Sequence, residues 1–143
     1  MGEGCRIEAD VKSVLRTARR ARESFEAAKR LEQETLEQIT YLHATDYGGV
    51  SVQSSATSRT TEDLALRLER IHERALKRLD DLEARQRRAQ EIIDRLEDDV
   101  WADVLTRYYI LGDTWQQVAA GAGYSERQIY RIHGEALQWL RCH

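Results

Sequence analysis

The stretch TWQQVAAGAGYSERQIYRIHGEALQWL, residues 114–140, decides how the C-terminal part of this 143-residue chain folds. Helix-forming residues stand on both sides of two glycines, Gly121 and Gly123. The small Ala119 is followed four residues later by Gly123 and, six residues after that, by the aliphatic Ile129. This is the spacing of a helix-turn-helix, in which the turn glycine adopts a positive φ that a Cβ would make costly. The stretch therefore predicts two short helices joined by a tight turn.

Polar residues predict where these two helices begin. Thr114 is placed to cap the first helix and Ser125 the second, because each hydroxyl can accept an otherwise unpaired backbone N–H. The apolar residues between and after the caps recur at helical spacing and form one inner face: Val118, Ala119, Ala122, Ile129, Ile132, Leu137 (or Ala136) and Leu140. The second helix then covers about residues 125–141, with its other face free.

The free face of the second helix carries side chains suited to reading DNA. Arginine matches guanine O6 and N7, glutamine matches adenine N6 and N7, and glutamate accepts from cytosine N4. The N–H groups that open the first helix suit phosphate. We therefore predict that residues 125–141 form a recognition helix in the major groove of double-stranded DNA. The predicted DNA-binding residues are Thr114, Trp115, Gln116, Ser125, Glu126, Arg127, Gln128, Tyr130, Arg131 and His133.

Two long segments upstream have the apolar pattern of amphipathic helices. From about residue 7 to 44, apolar residues recur at steps of three and four, and a similar seam runs from about residue 61 to 97. Arg78 and Arg85 occupy two core-type positions of the second seam, where they either reach across to a partner helix or mark a looser pairing. The pattern predicts a long antiparallel helical hairpin, a coiled coil.

A polar stretch separates the two long segments. Gly48-Gly49 suits a helix end, and seven of the eleven residues from 51 to 61 are Ser or Thr. We expect a flexible loop at about residues 46–60, with Thr60 capping the next helix. A narrow two-helix stripe leaves apolar surface uncovered, so we expect a homodimer through the long helices.

Composition agrees with an all-α protein, because 33% of the residues are charged and none is proline. We predict a helical hairpin over residues 1–97 that serves oligomerisation and a small DNA-binding domain over residues 98–143. The net charge is −3, and residues 98–143 hold six acidic residues against four arginines, a charge of −2. This is low for a DNA module and favours binding as a dimer.

The cluster Arg19, Arg20 and Arg22 either touches phosphate or lies on a solvated face.

The segment RYYILGDTWQQVAAGAGYSERQIYRIHGEALQWLR, residues 107–141, resembles the helix-turn-helix of the fourth region of bacterial sigma factors. It is more similar to phage late-gene transcriptional regulators of the ArpU/RinA type. The resemblance rests on residues before the first helix, in the turn and in the second helix: Arg107, Tyr108, Tyr109, Thr114, Trp115, Gly123, Tyr124, Ser125, Arg127, Tyr130, Arg131, His133, Ala136 and Leu137. It implies a phage or prophage DNA-binding regulator of late genes.

Other classes of protein fit the sequence less well. The four histidines are scattered, and no phosphate-binding glycine loop, GxSxG or HExxH motif occurs, so we expect no enzyme, catalytic residue, metal site or cofactor. No apolar run reaches the length of a membrane span, and the two cysteines fit a reducing cytoplasm, here of a bacterial host. RNA polymerase is a further candidate partner. The alternatives are a sigma-like factor that engages RNA polymerase as well as DNA, a helix-turn-helix that contacts protein, and a coiled-coil assembly protein resembling a small terminase subunit.

Overall fold

The computed structural model describes the backbone of residues 3–46 and 54–143 and the side chains of residues 11–44 and 59–143. Within these residues the protein is helical and has no strand, which confirms the predicted all-α class. The elements are α1 Glu3–Asp46, α2 Ser54–Ile93, α3 Asp99–Leu105, a π-helical segment Thr106–Ile110, α4 Trp115–Ala122 and α5 Glu126–Cys142. None of the helices in this part of the chain combines the length and the apolarity that crossing a bilayer requires.

The long helices α1 and α2 pack against each other in antiparallel directions, as the sequence predicts. The chain forms two compact units, and both helices contribute to each: one unit is Ser24–Asp80, and the other is Met1–Glu23 together with Asp81–His143. The beginning of α1 and the end of α2 therefore pack in one unit with the C-terminal helices. The assignment of residues 1–97 to oligomerisation and of residues 98–143 to DNA binding stays a prediction.

The unit Ser24–Asp80 has a narrow core of mostly small side chains. Its buried residues, among the side chains that the structure describes, are Ala28, Thr35, Ile71 and Ala75. Polar contacts across the pair add to this seam: His72 Nδ1 lies 2.5 Å from Glu32 Oε1, and Arg78 Nη1 donates to the Ser24 carbonyl at 3.1 Å. Hydrogen bonds from Lys29 and then His72 lower the pKa of the Glu32 carboxyl. Arg78 thus reaches across to α1, whereas Arg85 pairs with Asp81 of its own helix at 3.1 Å.

The other unit contains two clusters of buried side chains. The first joins both long helices to the C-terminal helices: Val11, Leu15, Ala18, Ala89, Ile93, Leu105, Tyr109, Ala136, Leu137 and Leu140. The second lies inside the C-terminal helices alone: Val104, Val118, Ala119, Ile129 and Ile132. The C-terminal helices therefore have a small core of their own and share a larger one with α1 and α2.

Helix α2 differs from its predicted limits at both ends. It begins at Ser54, so residues 54–60 are helical rather than part of the expected loop, and residues 47–53 lie outside the described residues. Serine and threonine cost a helix only about half a kcal/mol each relative to alanine, which a long helix tolerates. Thr60 therefore stands inside the helix rather than at its cap. The helix ends at Ile93, and tight turns follow in which the Arg95 and Leu96 N–H groups donate to carbonyls three residues back.

Candidate nucleic-acid interface

Two reciprocal capping boxes start the helices of the predicted helix-turn-helix. The Thr114 hydroxyl accepts from the Gln117 N–H at 3.3 Å, and the Gln117 side-chain oxygen accepts from the Thr114 N–H at 2.8 Å. Ser125 and Gln128 repeat the arrangement at 3.3 Å and 3.0 Å. Each box satisfies two backbone donors that a helix start otherwise leaves unpaired. The predicted caps Thr114 and Ser125 are confirmed, and α4 and α5 begin at the expected residues.

Gly123 makes the turn between α4 and α5. Its backbone is left-handed, with φ 75° and ψ 29°, and its N–H donates to the Ala119 carbonyl at 3.0 Å. No atom lies within 4 Å of the place where a Cβ would stand, so the glycine is required by its dihedral angles and not by crowding. The predicted turn glycine is confirmed. Ala119 is buried beneath the crossing, as its small size suggests.

A glycine stands at position 121 for a different reason, which the sequence does not reveal. A Cβ at this position would stand 3.0 Å from Cζ of Arg107 and still closer to the guanidinium nitrogen Nη1. The same guanidinium donates through Nε to the Asp103 carboxylate at 2.9 Å. Gly121 therefore lets the Arg107 side chain lie against α4. No local signal marks this contact, because it depends on how the segment before α4 crosses it.

Five of the ten predicted DNA-binding side chains are exposed and have no role in capping: Gln116, Glu126, Arg127, Tyr130 and Arg131. Arg127 and Arg131 are one helical turn apart and so lie on the same side of α5. Arg131 Nε lies 3.6 Å from Glu135, but an exposed pair of this kind is weak and leaves the guanidinium available. We call these five residues the reading face.

The other predicted residues are placed differently. Thr114, Ser125 and Gln128 are exposed, yet their side-chain oxygens accept hydrogen bonds in the two capping boxes. Trp115 and His133 are half-buried and lie in an aromatic cluster behind the reading face. Sequence spacing predicted the two caps, but it does not show that the Trp115 and His133 side chains are half-buried.

The aromatic cluster consists of Tyr108, Tyr109, Trp115 and His133. The Tyr108 and Trp115 rings stack with centroids 3.7 Å apart, and the Trp115 ring meets Tyr130 of the reading face at 5.2 Å. A hydrogen bond of 2.8 Å joins Tyr109 Oη and His133 Nε2. These contacts fix α4 and α5 against the π-helical segment, so the reading face stands on a rigid base.

Burial holds both partners of the Tyr109–His133 hydrogen bond in their neutral forms. It lowers the pKa of His133 to about 4, with smaller contributions from the positive charges of Lys12 and Arg16. Burial likewise raises the pKa of the Tyr109 hydroxyl to about 12. His133 is therefore an uncharged packing residue at neutral pH.

The π-helical segment is held by side chains of both long helices. Arg19 Nη1 donates to the carbonyls of Tyr108 and Asp113 at 2.5 Å and 2.9 Å, and its guanidinium lies 4.1 Å from the centre of the Tyr108 ring. Arg22 Nη1 and Gln86 Nε2 donate to the Ile110 carbonyl at 3.1 Å and 3.3 Å. Arg19 and Arg22 are thus neither solvated nor free for phosphate; both anchor the C-terminal helices to α1.

The exposed polar side chains of the reading face are suited to binding another molecule. Among the described residues, no three His, Cys, Asp or Glu side chains are grouped so that they could hold a metal ion. Comparisons with protein-family models, with curated proteins and with solved structures find no match to this chain. The function is therefore argued from the geometry of the helices and the side chains that they expose.

Proposed function

We propose that this protein is a sequence-specific, DNA-binding transcriptional regulator whose helix α5 enters the major groove. The observation that carries the proposal is the reading face, which stands on two capped helices joined by a left-handed glycine. A helix-turn-helix with this spacing places the early turns of its second helix against base edges. The rigid aromatic base behind the face supports the proposal, because a preorganised surface loses little entropy on binding.

The reading face supplies both base and backbone contacts. Arg127 and Arg131 are the guanine readers, Glu126 is the acceptor for cytosine, and Tyr130 packs against the apolar edge of the groove. Gln116 lies in the first turn of α4, at the end of the helix whose N–H groups suit phosphate. The capping box uses the Gln117 N–H, and those of Trp115 and Gln116 have no partner among the residues the structure describes.

Self-association through the long helices belongs to the same proposal. The unit Ser24–Asp80 exposes large apolar side chains that its own seam does not cover: Leu31, Leu36, Tyr41, Leu66 and Leu76. Such side chains on paired helices favour a second copy of the chain as their partner. A dimer doubles the contacts and calls for a DNA site with two-fold symmetry.

The biological setting follows from the resemblance to phage late-gene regulators of the ArpU/RinA type. We propose on this basis that the protein acts in the cytoplasm of a bacterial host, at promoters of phage or prophage late genes, with RNA polymerase as a further partner. The second candidate is an assembly protein like a small terminase subunit, which the exposed apolar side chains of Ser24–Asp80 also favour. A closed ring of many subunits would select that alternative, and a dimer would select the regulator.

The decisive experiment is selection of bound fragments from the source genome at two salt concentrations, together with the mass of the protein in solution. We expect a recurring two-fold site bound by a dimer. If no fragment is enriched at either salt concentration, the chain does not read DNA, and the reading face contacts protein instead.

Substitution of the two arginines tests the placement of the reading face. Arg127→Ala and Arg131→Ala should each weaken binding to the selected site by about 1–3 kcal/mol and relax specificity at one base pair, because each removes a bidentate contact. Arg87→Ala, at an exposed position of α2, serves as the control and should bind like the wild type. Full binding by the Arg127/Arg131 double variant would show that α5 does not read the bases.

A further inference from the structure

The N-terminal helix carries a concentrated positive charge beside the helix-turn-helix. Residues 12–22 contain five basic residues and no acidic one. Arg19 and Arg22 anchor the π-helical segment through its carbonyls. The other three, Lys12, Arg16 and Arg20, recur every four residues and so form one stripe along α1.

This basic stripe forms one wall of a pocket of about 400 Å³. The aromatic cluster of Tyr108, Tyr109, Trp115 and His133 lines the same pocket. Trp115 is the first residue of α4 and contacts Tyr130, so the pocket adjoins the reading face. The pocket therefore lies where α4 begins, directly beside the groove-reading helix.

The pocket has an excess of positive charge. Its one acidic residue is Glu23, which pairs with Arg19 at 3.3 Å. Lys12, Arg16 and Arg20 have no carboxylate partner among the side chains that the structure describes. After burial, the charges of Lys12 and Arg16 also lower the pKa of His133, which lines the same pocket. Arg16 and Arg20 are exposed, so they are accessible to a ligand from solution.

We propose that this pocket is a phosphate site, in which Lys12, Arg16 and Arg20 bind the DNA backbone next to the stretch that α5 reads. This inference rests on the proposed function and adds to it a site that binds the DNA backbone. In a helix-turn-helix complex the first helix crosses the sugar-phosphate backbone, which brings phosphates to the start of α4 and hence to the pocket. The ammonium group of lysine and the guanidinium group of arginine bind phosphate strongly. They fix the position of the protein on DNA without reading the base sequence.

The phosphate site accounts for the low charge of the helix-turn-helix itself. Residues 98–143 have a formal charge of −2, which is unfavourable for a polyanionic ligand. Helix α1 supplies the missing positive charge from the other end of the chain, and Arg19 and Arg22 hold it in place. The DNA-binding surface is thus composite: α5 provides specificity, and α1 provides backbone affinity.

The test compares two triple variants that remove the same charge. Lys12→Gln, Arg16→Gln and Arg20→Gln together neutralise the stripe, whereas Arg67→Gln, Arg70→Gln and Arg74→Gln neutralise three exposed arginines of α2 in the unit Ser24–Asp80. Binding to the selected site and to a duplex of random sequence is measured from about 50 to 200 mM salt. Melting temperatures of both variants check that they fold.

The stripe variant should bind both duplexes more weakly by a similar factor. Its plot of log affinity against log salt should flatten by about 0.9 for each lost phosphate contact, hence by roughly 2–3 in all. The α2 variant should keep the wild-type slope. Lysine at both arginine positions, Arg16→Lys with Arg20→Lys, should restore most of the slope because the charge is retained.

Other outcomes overturn the inference in distinguishable ways. A wild-type slope in the stripe variant, with specific binding intact, would remove the phosphate site and leave the regulator proposal standing. Equal losses of affinity in the two triple variants would show that the effect comes from the net charge of the chain and not from the stripe. A loss confined to the selected site would make the stripe a base reader. If the triple stripe variant does not fold, the single variant Arg20→Gln replaces it, with an expected flattening of about 0.9. Absence of DNA binding by the wild type would overturn both proposals.

Discussion

The two compact units are built from the same kind of amphipathic helix, yet their cores differ. All eight of the largest fully buried side chains among the described residues belong to the unit that contains the C-terminal helices, Leu15, Ile93 and Tyr109 among them. Among the described side chains of the unit Ser24–Asp80, the buried ones are two alanines, a threonine and one isoleucine. Large aliphatic residues of that unit, such as Leu66 at 52% exposure, remain in solvent.

The difference lies in the number of helices and not in the apolar content of the sequence. Two helices alone bury a single narrow seam, where small residues allow close approach. Where α3, the π-helical segment and α5 pack on the ends of α1 and α2, a wider face is covered and large side chains are buried. Complete burial of such a side chain stabilises a fold by about 1.5–3 kcal/mol, so we expect most of the stability to reside in that unit.

Truncation of one leucine in each unit gives the largest effect. Leu15 is fully buried, and Leu15→Ala should lower the free energy of unfolding by about 2–5 kcal/mol through lost burial and the cavity left behind. Leu66→Ala makes the same chemical change at a position that is exposed within one chain and should cost less than about 0.5 kcal/mol at concentrations where the chain is monomeric. Urea denaturation measures both. Equal losses of unfolding free energy would mean that the two units contribute alike to the stability of the fold.

Acid should act on the larger unit through His133. Because burial lowers its pKa to about 4, below the usual value near 6.5, the unfolded chain binds a proton in this range that the folded chain does not. Stability contributed by neutral His133 is therefore complete above about pH 6.5 and is lost as the pH falls toward 4.

The variant His133→Phe removes the titrating group and should flatten the pH dependence of the unfolding free energy between about pH 6.5 and 4. The exposed His43→Phe is the control and should retain the wild-type profile. An identical pH profile in the His133 and His43 variants would show that His133 is not buried as a neutral group.

The smallest expected effect concerns the polar residue inside the narrow seam. Thr35 is buried, and its hydroxyl donates to the Leu31 carbonyl of its own helix at 2.8 Å. That carbonyl is already a helical acceptor, so Thr35→Val should change stability by no more than about 1 kcal/mol. Thr40→Val removes the equivalent hydrogen bond to Leu36 at an exposed site and should be nearly neutral. A larger loss at Thr35 would mean that the hydroxyl, rather than apolar burial, holds the seam together.

Local signals in the sequence predicted a large part of the helix-turn-helix. The caps Thr114 and Ser125, the turn at Gly123 and the inner face around Ile129 and Ile132 follow from neighbours within a few residues. Their physical causes are an unpaired N–H, a positive φ and the helical period. The helical hairpin followed from the same periodicity.

Features that depend on contacts between distant residues were not predictable. The roles of Arg19 and Arg22 require the π-helical segment to lie beside α1, nearly ninety residues away in sequence. The same holds for His133, whose spacing matches the reading face but whose ring turns toward Tyr109. The early start of α2 at Ser54 was missed because the preferences of serine and threonine against helix are weak.

The arginine anchors limit how the chain can be rearranged. A gene segment that begins at residue 98 encodes α3 to α5 without the guanidinium groups of Arg19 and Arg22 and without the Leu15 and Ile93 side chains that cover Tyr109. Recombination at that point would deliver α5 with an uncovered flank to its new host protein. Transfer of the C-terminal helices to another protein, by evolution or by design, therefore has to include the beginning of the chain together with its end.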